Sequence, residues 1–229
     1  MRRRIIFFDI GNTLATAMEL TPRRLWGARL GLSEKETRRA GRLIMTENAT
    51  TPAALAEALG KILPDRGPEE LLKVAEALWL EQSGSVREIP GAITSIKALH
   101  GMGYRLGLLS NTWSPLFEGF RRVFSDVTGL LDTMVLSFQQ GCKKPSRDIF
   151  HLALRKAALP ASDCWMVGDS YELDMEPAME SGMNTLWVLS SPDRERGVIA
   201  GLLRGEARKP DWTVESVQKI PGFFAGKDM

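Results

Sequence analysis

Asp9 closes the apolar run Ile5-Ile6-Phe7-Phe8 and is followed at once by Ile10-Gly11-Asn12-Thr13-Leu14. The run reads as a buried parallel strand, and open α/β sheets bind their ligands outside the C-terminal ends of such strands. A carboxylate at that tip is placed to act as a nucleophile or a metal ligand. Three later runs end in, or are followed by, groups that would serve it. Ser110-Asn111-Thr112 offers a hydroxyl and amide N–H groups for phosphoryl oxygens, and Lys143-Lys144-Pro145 an ammonium to balance charge. Gly168-Asp169-Ser170-Tyr171-Glu172-Leu173-Asp174 offers two carboxylates around a turn. Carboxylates that leave room for a substrate oxygen are what Mg2+ prefers. The set suits phosphoryl transfer, while Gly11 leaves empty a place where a proton-transferring carboxylate could stand.

The elements needed to bring these tips together are those of an α/β fold, a Rossmann-like parallel sheet covered by helices. Strands are expected at 5–8, 105–109, 134–137, 164–167 and 184–189, with Trp212-Thr213-Val214 as an edge strand. Helices fill the gaps, notably 147–158 and 176–181, and Pro90-Gly91 opens one that Gly101 and Gly103 close. Alternation of this kind builds a parallel sheet with both faces covered. Residues 190–210 are charged and Gly-rich and read as a surface loop with a short helix.

Between the first strand and the rest the pattern is helical only. Thr21-Pro22 opens a helix through Leu25, Trp26, Leu30 and Leu32, and Ser33 with Glu36 forms a capping box for a second through Leu43 and Ile44. Thr51-Pro52 opens a third through Leu55, Leu59, Ile62 and Leu63, and Pro68-Glu69-Glu70 a fourth through Leu71, Leu72, Ala75, Leu78 and Trp79. The expected organisation is an α/β core at 1–15 and 87–229 with an all-helical cap domain, 16–86, inserted after strand 1.

Composition excludes several classes of function. The 229 residues are 44% hydrophobic and 25% charged, ordinary for a globular protein, and the net charge of +2 gives no global field for nucleic acid. Met1-Arg2-Arg3-Arg4 followed by four apolar residues is too short for a signal-peptide core, and no run approaches the length of a membrane span. A cytoplasmic location is expected, with no membrane and no nucleic-acid partner. Cys142 and Cys164 match no disulfide or zinc pattern; Cys164 reads as core, and Cys142, before Lys143, as a packing or surface thiol unless the lysine lowers its pKa. His100 and His151 fall on helices with no second ligand near them in sequence.

Taken together, Asp9-Ile10-Gly11-Asn12-Thr13, Ser110, Lys144 followed by Pro145, and Gly168-Asp169 with Asp174 resemble the haloacid dehalogenase superfamily of hydrolases, in the branch with a helical cap after strand 1. The motifs there are Asp-x-Asp-x-Thr, a Ser or Thr at a strand tip, a Lys, and Gly-Asp-x-x-x-x-Asp or near it. Order and spacing agree over nearly the whole chain. The resemblance implies catalytic Asp9, Ser110 and Lys144, with Asp9 as the nucleophile that forms an aspartyl-phosphate. It implies phosphate binding by Ser110, Asn111 and Lys144, with Lys143 as the alternative lysine. It also implies Mg2+ held by Asp9, the Gly11 backbone carbonyl, Asp169 and Asp174, the last orienting Lys144 or a metal-bound water instead. The expected partner is a small phosphorylated metabolite, chosen by a cap whose polar residues Glu19, Arg23, Arg24 and Asn48 could touch it.

The departure from the motif is Gly11. A second Asp there protonates the leaving oxygen and later activates water, help worth about 10²–10⁴-fold, or roughly 3–5 kcal/mol. Its loss leaves three readings open: a slow or specialised phosphatase, with Glu19 or Glu172 as replacement groups; different chemistry; or a catalytically quiet homologue with a binding role. Dehalogenases of the family carry Tyr at this position and phosphonate hydrolases Ala. The first chemistry makes no use of Asp169 and Asp174, and the second needs a cap lysine such as Lys35, Lys61 or Lys73 that nothing singles out. A phosphoacceptor signalling domain is much shorter and carries its phosphorylated Asp on a later strand. The expectation is therefore a Mg2+-dependent phosphatase.

Overall fold

The strand that carries Asp9, β1 (Ile5–Phe8), is buried along its length and pairs in parallel with a neighbour on each side. The computed structural model describes residues 4–17 and 20–226. After β1 come β2 (Ala15–Thr16), the helices α1 (Pro22–Leu30), α2 (Glu34–Thr46), α3 (Pro52–Gly60) and α4 (Pro68–Ser85), and then β3 (Arg87–Glu88). The chain continues through α5 (Ala92–Gly101), β4 (Arg105–Ser110), α6 (Ser114–Val123), α7 (Ser125–Thr128), β5 (Leu131–Leu136), α8 (Ser137–Gln140) and α9 (Arg147–Ala157). It closes with β6 (Cys164–Gly168), a π-helical turn (Tyr171–Met175), α10 (Glu176–Glu180), β7 (Asn184–Val188), α11 (Arg196–Arg204), β8 (Trp212–Val214) and α12 (Ile220–Ala225).

The main sheet has the order β5-β4-β1-β6-β7-β8, and all its pairings are parallel. From β1 the chain builds outward through β4 and β5, then returns to the other side of β1 with β6. The direction of winding reverses there, and the crevice beside Asp9 is the switch point where such sheets take ligands.

Alternation along β1 divides the core. Ile6 and Phe8 pack with Leu106, Leu108, Trp165, Val167 and the helices α5, α6 and α12 on one face. Ile5 and Phe7 pack with Cys164, Met166, Ile149, Phe150 and Trp187 on the other. Each fully buried large side chain contributes about 1.5–3 kcal/mol relative to exposure, which explains why the apolar run tolerates one charge only at its end. A third cluster joins the four helices after β2 through Leu25, Trp26, Ile44, Leu59, Leu71 and Leu78. It also takes in Trp113, from the loop after β4, which meets Trp79 edge-on at 6.4 Å. No described helix is long and apolar enough to cross a membrane.

Several local expectations change. The capping box at Ser33 and Glu36 forms in both directions. At α1, by contrast, Thr21 makes no side-chain cap bond, and Gly31 at φ 57° ends the helix before Leu32. Strand β5 starts at Leu131, earlier than expected: Asp132 interrupts the apolar run, but it points out of an edge strand and pairs with Arg105 at 2.8 Å. Ser137, expected in that strand, opens α8. Residues 196–204 form the short helix expected within 190–210. The expected helical segment begins at residue 16, yet Thr16 pairs with Arg87, and Ala15 with Glu88, in a two-stranded antiparallel ribbon. Strands of two residues carry no periodicity to read.

Candidate active site

Asp9 follows β1 directly, and its N–H donates to the Val167 carbonyl on β6 at 2.9 Å. Lys144 Nζ donates to Asp9 Oδ1 at 2.7 Å and to Asp174 Oδ1. The Lys144 and Asp174 side chains are each 1% exposed and that of Asp9 12%, so this is a buried triad of charges. Buried charges persist only when paired and hydrogen-bonded. Burial pulls the Lys144 ammonium pKa down, but Asp174 and Asp9 together outweigh it and hold the pKa above its ordinary value. The lysine is therefore a fixed cation at the tip of β1.

Asp174 reaches the triad because the chain turns sharply after β6. The turn Tyr171–Met175 is π-helical, a wider winding that recurs at functional sites. Ser170 caps it, accepting from the Leu173 N–H at 3.3 Å, while the Ser170 N–H donates to Asp174 Oδ2 at 3.1 Å. A Cβ on Gly168 would collide with the Asp174 carboxylate, so glycine is required where the side chain folds back under the strand. Asp174 is therefore no solvated loop residue, and both its oxygens are engaged.

Asp169 adds a third carboxylate. Its carbonyl accepts from Trp187 Nε1 at 2.8 Å, which fastens the backbone beside β7. Burial, then Asp9 and Asp174, push its pKa up to about 7 against the pull of Lys144. Burial likewise raises Asp174 to about 6, with Lys144 opposing and Asp9 adding to the rise. One ammonium among three carboxylates leaves excess negative charge in a confined site. One oxygen from each of Asp9, Asp169 and Asp174 lies within 4.8 Å of the others, a hard oxygen donor set that fits Mg2+.

Ser110, at the end of β4, is fully buried, and its Oγ accepts from the Ile10 N–H at 3.3 Å. Its hydroxyl hydrogen is left for another acceptor. The Asn111 side chain, expected to face phosphoryl oxygens, is engaged elsewhere: Nδ2 donates to the Lys144 carbonyl at 2.9 Å and Oδ1 accepts from the Lys144 N–H at 2.8 Å. It clamps the backbone that presents the lysine. Ser137, the first residue of α8, similarly holds the loop after β4, accepting from the Thr112 N–H at 3.1 Å and donating to the Thr112 carbonyl at 2.9 Å. Thr13, in the first motif, is fully buried, and its hydroxyl has no partner among the described residues. Gly11 is exposed, and a Cβ there would meet only Asp9 Oδ2, at 3.9 Å.

Other candidates lie apart from this cluster. Lys144, and not Lys143, reaches Asp9. Glu172 is exposed on the π turn, and Glu19 lies outside the described residues. His100 and His151 are exposed on α5 and α9. Burial first, and Asp148 next, raise the Cys142 thiol pKa, contrary to activation by Lys143. Lys35 and Lys73 are exposed, and Lys61 pairs with Glu57 at 3.3 Å on the surface. Trp113 is core.

Fold and cluster define a Rossmann-like α/β protein with an acidic, lysine-centred cleft at the switch point. More particularly, the haloacid dehalogenase-like hydrolase family matches residues 4–182, and the chain belongs to that family. Pyrimidine 5'-nucleotidase YjjG of Escherichia coli (strain K12) is 32% identical over 152 residues, 65% of this chain and 61% of that protein. Glyceraldehyde 3-phosphate phosphatase of Pyrococcus abyssi is 31% identical over 102 residues, 44% of this chain and 42% of that one. The chain thus spans less than two thirds of the length of either relative. In three dimensions, 2-haloacid dehalogenase from Pseudomonas syringae pv. Tomato DC3000 matches with a TM-score of 0.64 at 20% identity, over 98% of this chain and 99% of that one. That likeness bears on the fold.

Proposed function

We propose that this protein is a Mg2+-dependent phosphatase of small phosphorylated molecules, acting through an aspartyl-phosphate on Asp9. The observation that carries the reading is Lys144, held between Asp9 and Asp174 at the tip of the central strand with Asp169 beside them. A phosphoryl group at Asp9 would meet the Lys144 ammonium and the Ser110 hydroxyl at its equatorial oxygens.

Asp9 would attack phosphorus in line, forming its P–O bond as the bond to the leaving oxygen breaks. Lys144 and the Ser110 hydroxyl hold the equatorial oxygens, and Asn111 keeps Lys144 in place through its backbone. Water would then attack phosphorus, the bond to Asp9 breaks, and inorganic phosphate leaves with the carboxylate restored. Mg2+, when bound by Asp9, the Gly11 carbonyl and Asp169, supplies charge neutralisation of the phosphoryl group. Asp174, with one oxygen on Lys144 and one on the Ser170 N–H, acts chiefly by orienting the lysine. The helices α1 to α4 serve as the cap over this site, and the protein works in the cytoplasm.

Each half-reaction moves a proton, to the leaving oxygen in the first and from water in the second. Gly11 can do neither. The reading therefore favours acyl and aryl phosphates, whose leaving groups need little protonation. Phosphate release from a panel of acyl, aryl and alkyl phosphates, with and without Mg2+, tests it. Metal-dependent release from wild type that disappears in Asp9→Asn is the expected result. A second reading, a homologue that binds without turning over, rests on the same open position at Gly11. It prevails if wild type releases no phosphate from any substrate while Gly11→Asp does.

A further inference from the structure

We propose that Arg23, Arg42 and Lys143 form a second anion subsite beside the cleft, selecting substrates that carry another phosphate or carboxylate besides the phosphoryl group offered to Asp9. The inference rests on the phosphatase reading and narrows its substrate class.

The three cations come from separate elements. Arg23 lies on α1, Arg42 on α2, and Lys143 in the loop between α8 and α9. Helix α2 packs against α1 and against α8, which brings the two arginine-bearing helices to the loop that holds Lys143. Lys143 is half-buried, and burial first, then the positive charges of Arg42 and Arg23, lower its ammonium pKa. It is also one residue from Lys144, whose Nζ touches Asp9. Consecutive residues are about 3.8 Å apart along the backbone. On this proposal, an anion on the trio and a phosphoryl group at Asp9 are the two ends of one substrate.

The backbone is shaped to gather these charges. Gly41 is buried within α2, and a Cβ there would come within 2.5 Å of Arg23 Cγ and 2.8 Å of its Cβ and Cδ. Glycine inside a helix costs about 1 kcal/mol relative to alanine. The notch it leaves lets the Arg23 stem lie against α2 next to Arg42. Of the neighbouring arginines, Arg29 pairs with Glu81 at 2.5 Å, Arg38 with Glu34 at 2.7 Å and Arg66 with Glu70 at 3.6 Å, while Arg24 and Arg39 make no ion pair among the described residues. Arg23, Arg42 and Lys143 have no acidic partner among the described residues. Crowded like charges repel, and a bound anion relieves them all at once. Two guanidiniums offer the forked donors that carboxylate and phosphate accept in pairs.

The test compares three probes of one length by calorimetric titration of the whole protein in Mg2+ buffer: 4-hydroxybutyl phosphate, O-phospho-4-hydroxybutanoate and butane-1,4-diol bisphosphate. At least one doubly anionic probe is expected to bind wild type ten-fold or more tightly than the hydroxyl-ended one. Which of the two does so tells a carboxylate subsite from a phosphate subsite. Arg42→Gln and Arg23→Gln should each reduce that ratio at least three-fold, with thermal melts confirming that the variants fold. A wild-type ratio near one, or a ratio unchanged in both variants, overturns the subsite. Phosphate release from acyl and aryl phosphates is followed separately, so a protein that prefers the probes with two anionic groups but releases phosphate from none of those substrates refutes the phosphatase reading and leaves the subsite standing.

Discussion

The floor of the cleft, at the tip of β1, and the proposed rim of Arg23, Arg42 and Lys143 both concentrate charge, but they hold it in different ways. On the floor, Asp9 and Asp174 share Lys144, Asp174 takes a further bond from the Ser170 N–H, and the Asn111 amide fixes the lysine backbone. On the rim, Arg23 and Arg42 are exposed and, with Lys143, lack acidic partners among the described residues. The difference follows from solvent. A buried ion without a partner costs several kcal/mol, so the floor must be satisfied within the fold. Water screens the rim and allows its charges to wait for a ligand. The floor is thus built for one reaction, and the rim can vary with the molecule received.

The comparison breaks most sharply at Asp9. Asp9→Asn should lower phosphate release by at least about 10⁴-fold, the scale on which loss of a nucleophile is felt, while circular dichroism shows the fold retained. Lys144→Met should act on stability as well: it strands two carboxylates in the interior and is expected to cost about 3–5 kcal/mol in urea unfolding. No rim substitution should approach that. Gly11→Asp works in the opposite direction. The space beside Asp9 is open, and the new carboxylate should speed release from alkyl phosphates by about 10²–10⁴-fold, with a much smaller gain for acyl phosphates. Equal gains for both classes would refute the account of the missing acid.

A smaller effect concerns metal and pH. In the folded protein Asp169 keeps its proton up to about pH 7, whereas an unfolded Asp loses it near 4. A raised carboxylate pKa means that the folded state binds more protons, so this group's contribution to stability falls as pH rises from about 4 to 7. Mg2+ removes that penalty once the group is ionised. The rise in melting temperature on adding Mg2+ should therefore be larger at pH 8 than at pH 6, and the reverse order would count against metal at this cluster. Smallest of all, Ser33→Ala breaks the capping box on α2 and should cost about 1 kcal/mol in a thermal melt without altering the Mg2+ response.

Much of the floor was legible in the chain because its parts sit where apolar runs stop. Ile5 to Phe8, Leu106 to Leu109 and Cys164 to Val167 are continuous hydrophobic stretches, and a central parallel strand has no other pattern to show. Polar residues come after each run, and their spacing carried the family resemblance. The clamp of Asn111 on Lys144 was not legible, since it joins positions 33 apart through hydrogen bonds that leave no periodic trace. Nor was the π turn that buries Asp174, because one unusual winding depends on Ser170 and Gly168 acting together in space. The proposed rim trio was hidden for the same reason: Arg23, Arg42 and Lys143 lie far apart in sequence, and only the packing of α2 on α1 and α8 brings their elements together. The edge strand β5 was misplaced because solvent on one side permits Asp132, which a buried strand would not.

The ribbon of β2 and β3 has a consequence for how the molecule can be rebuilt. Both connections to the four helices leave the sheet side by side, with Ala15 opposite Glu88 and Thr16 opposite Arg87. Such facing residues lie about 5 Å apart. The stretch between them is therefore a cassette with adjacent ends: another helical insert, of different length and with different arginines, can be spliced at the same two points without shifting any strand of the parallel sheet, provided that it again covers Trp113.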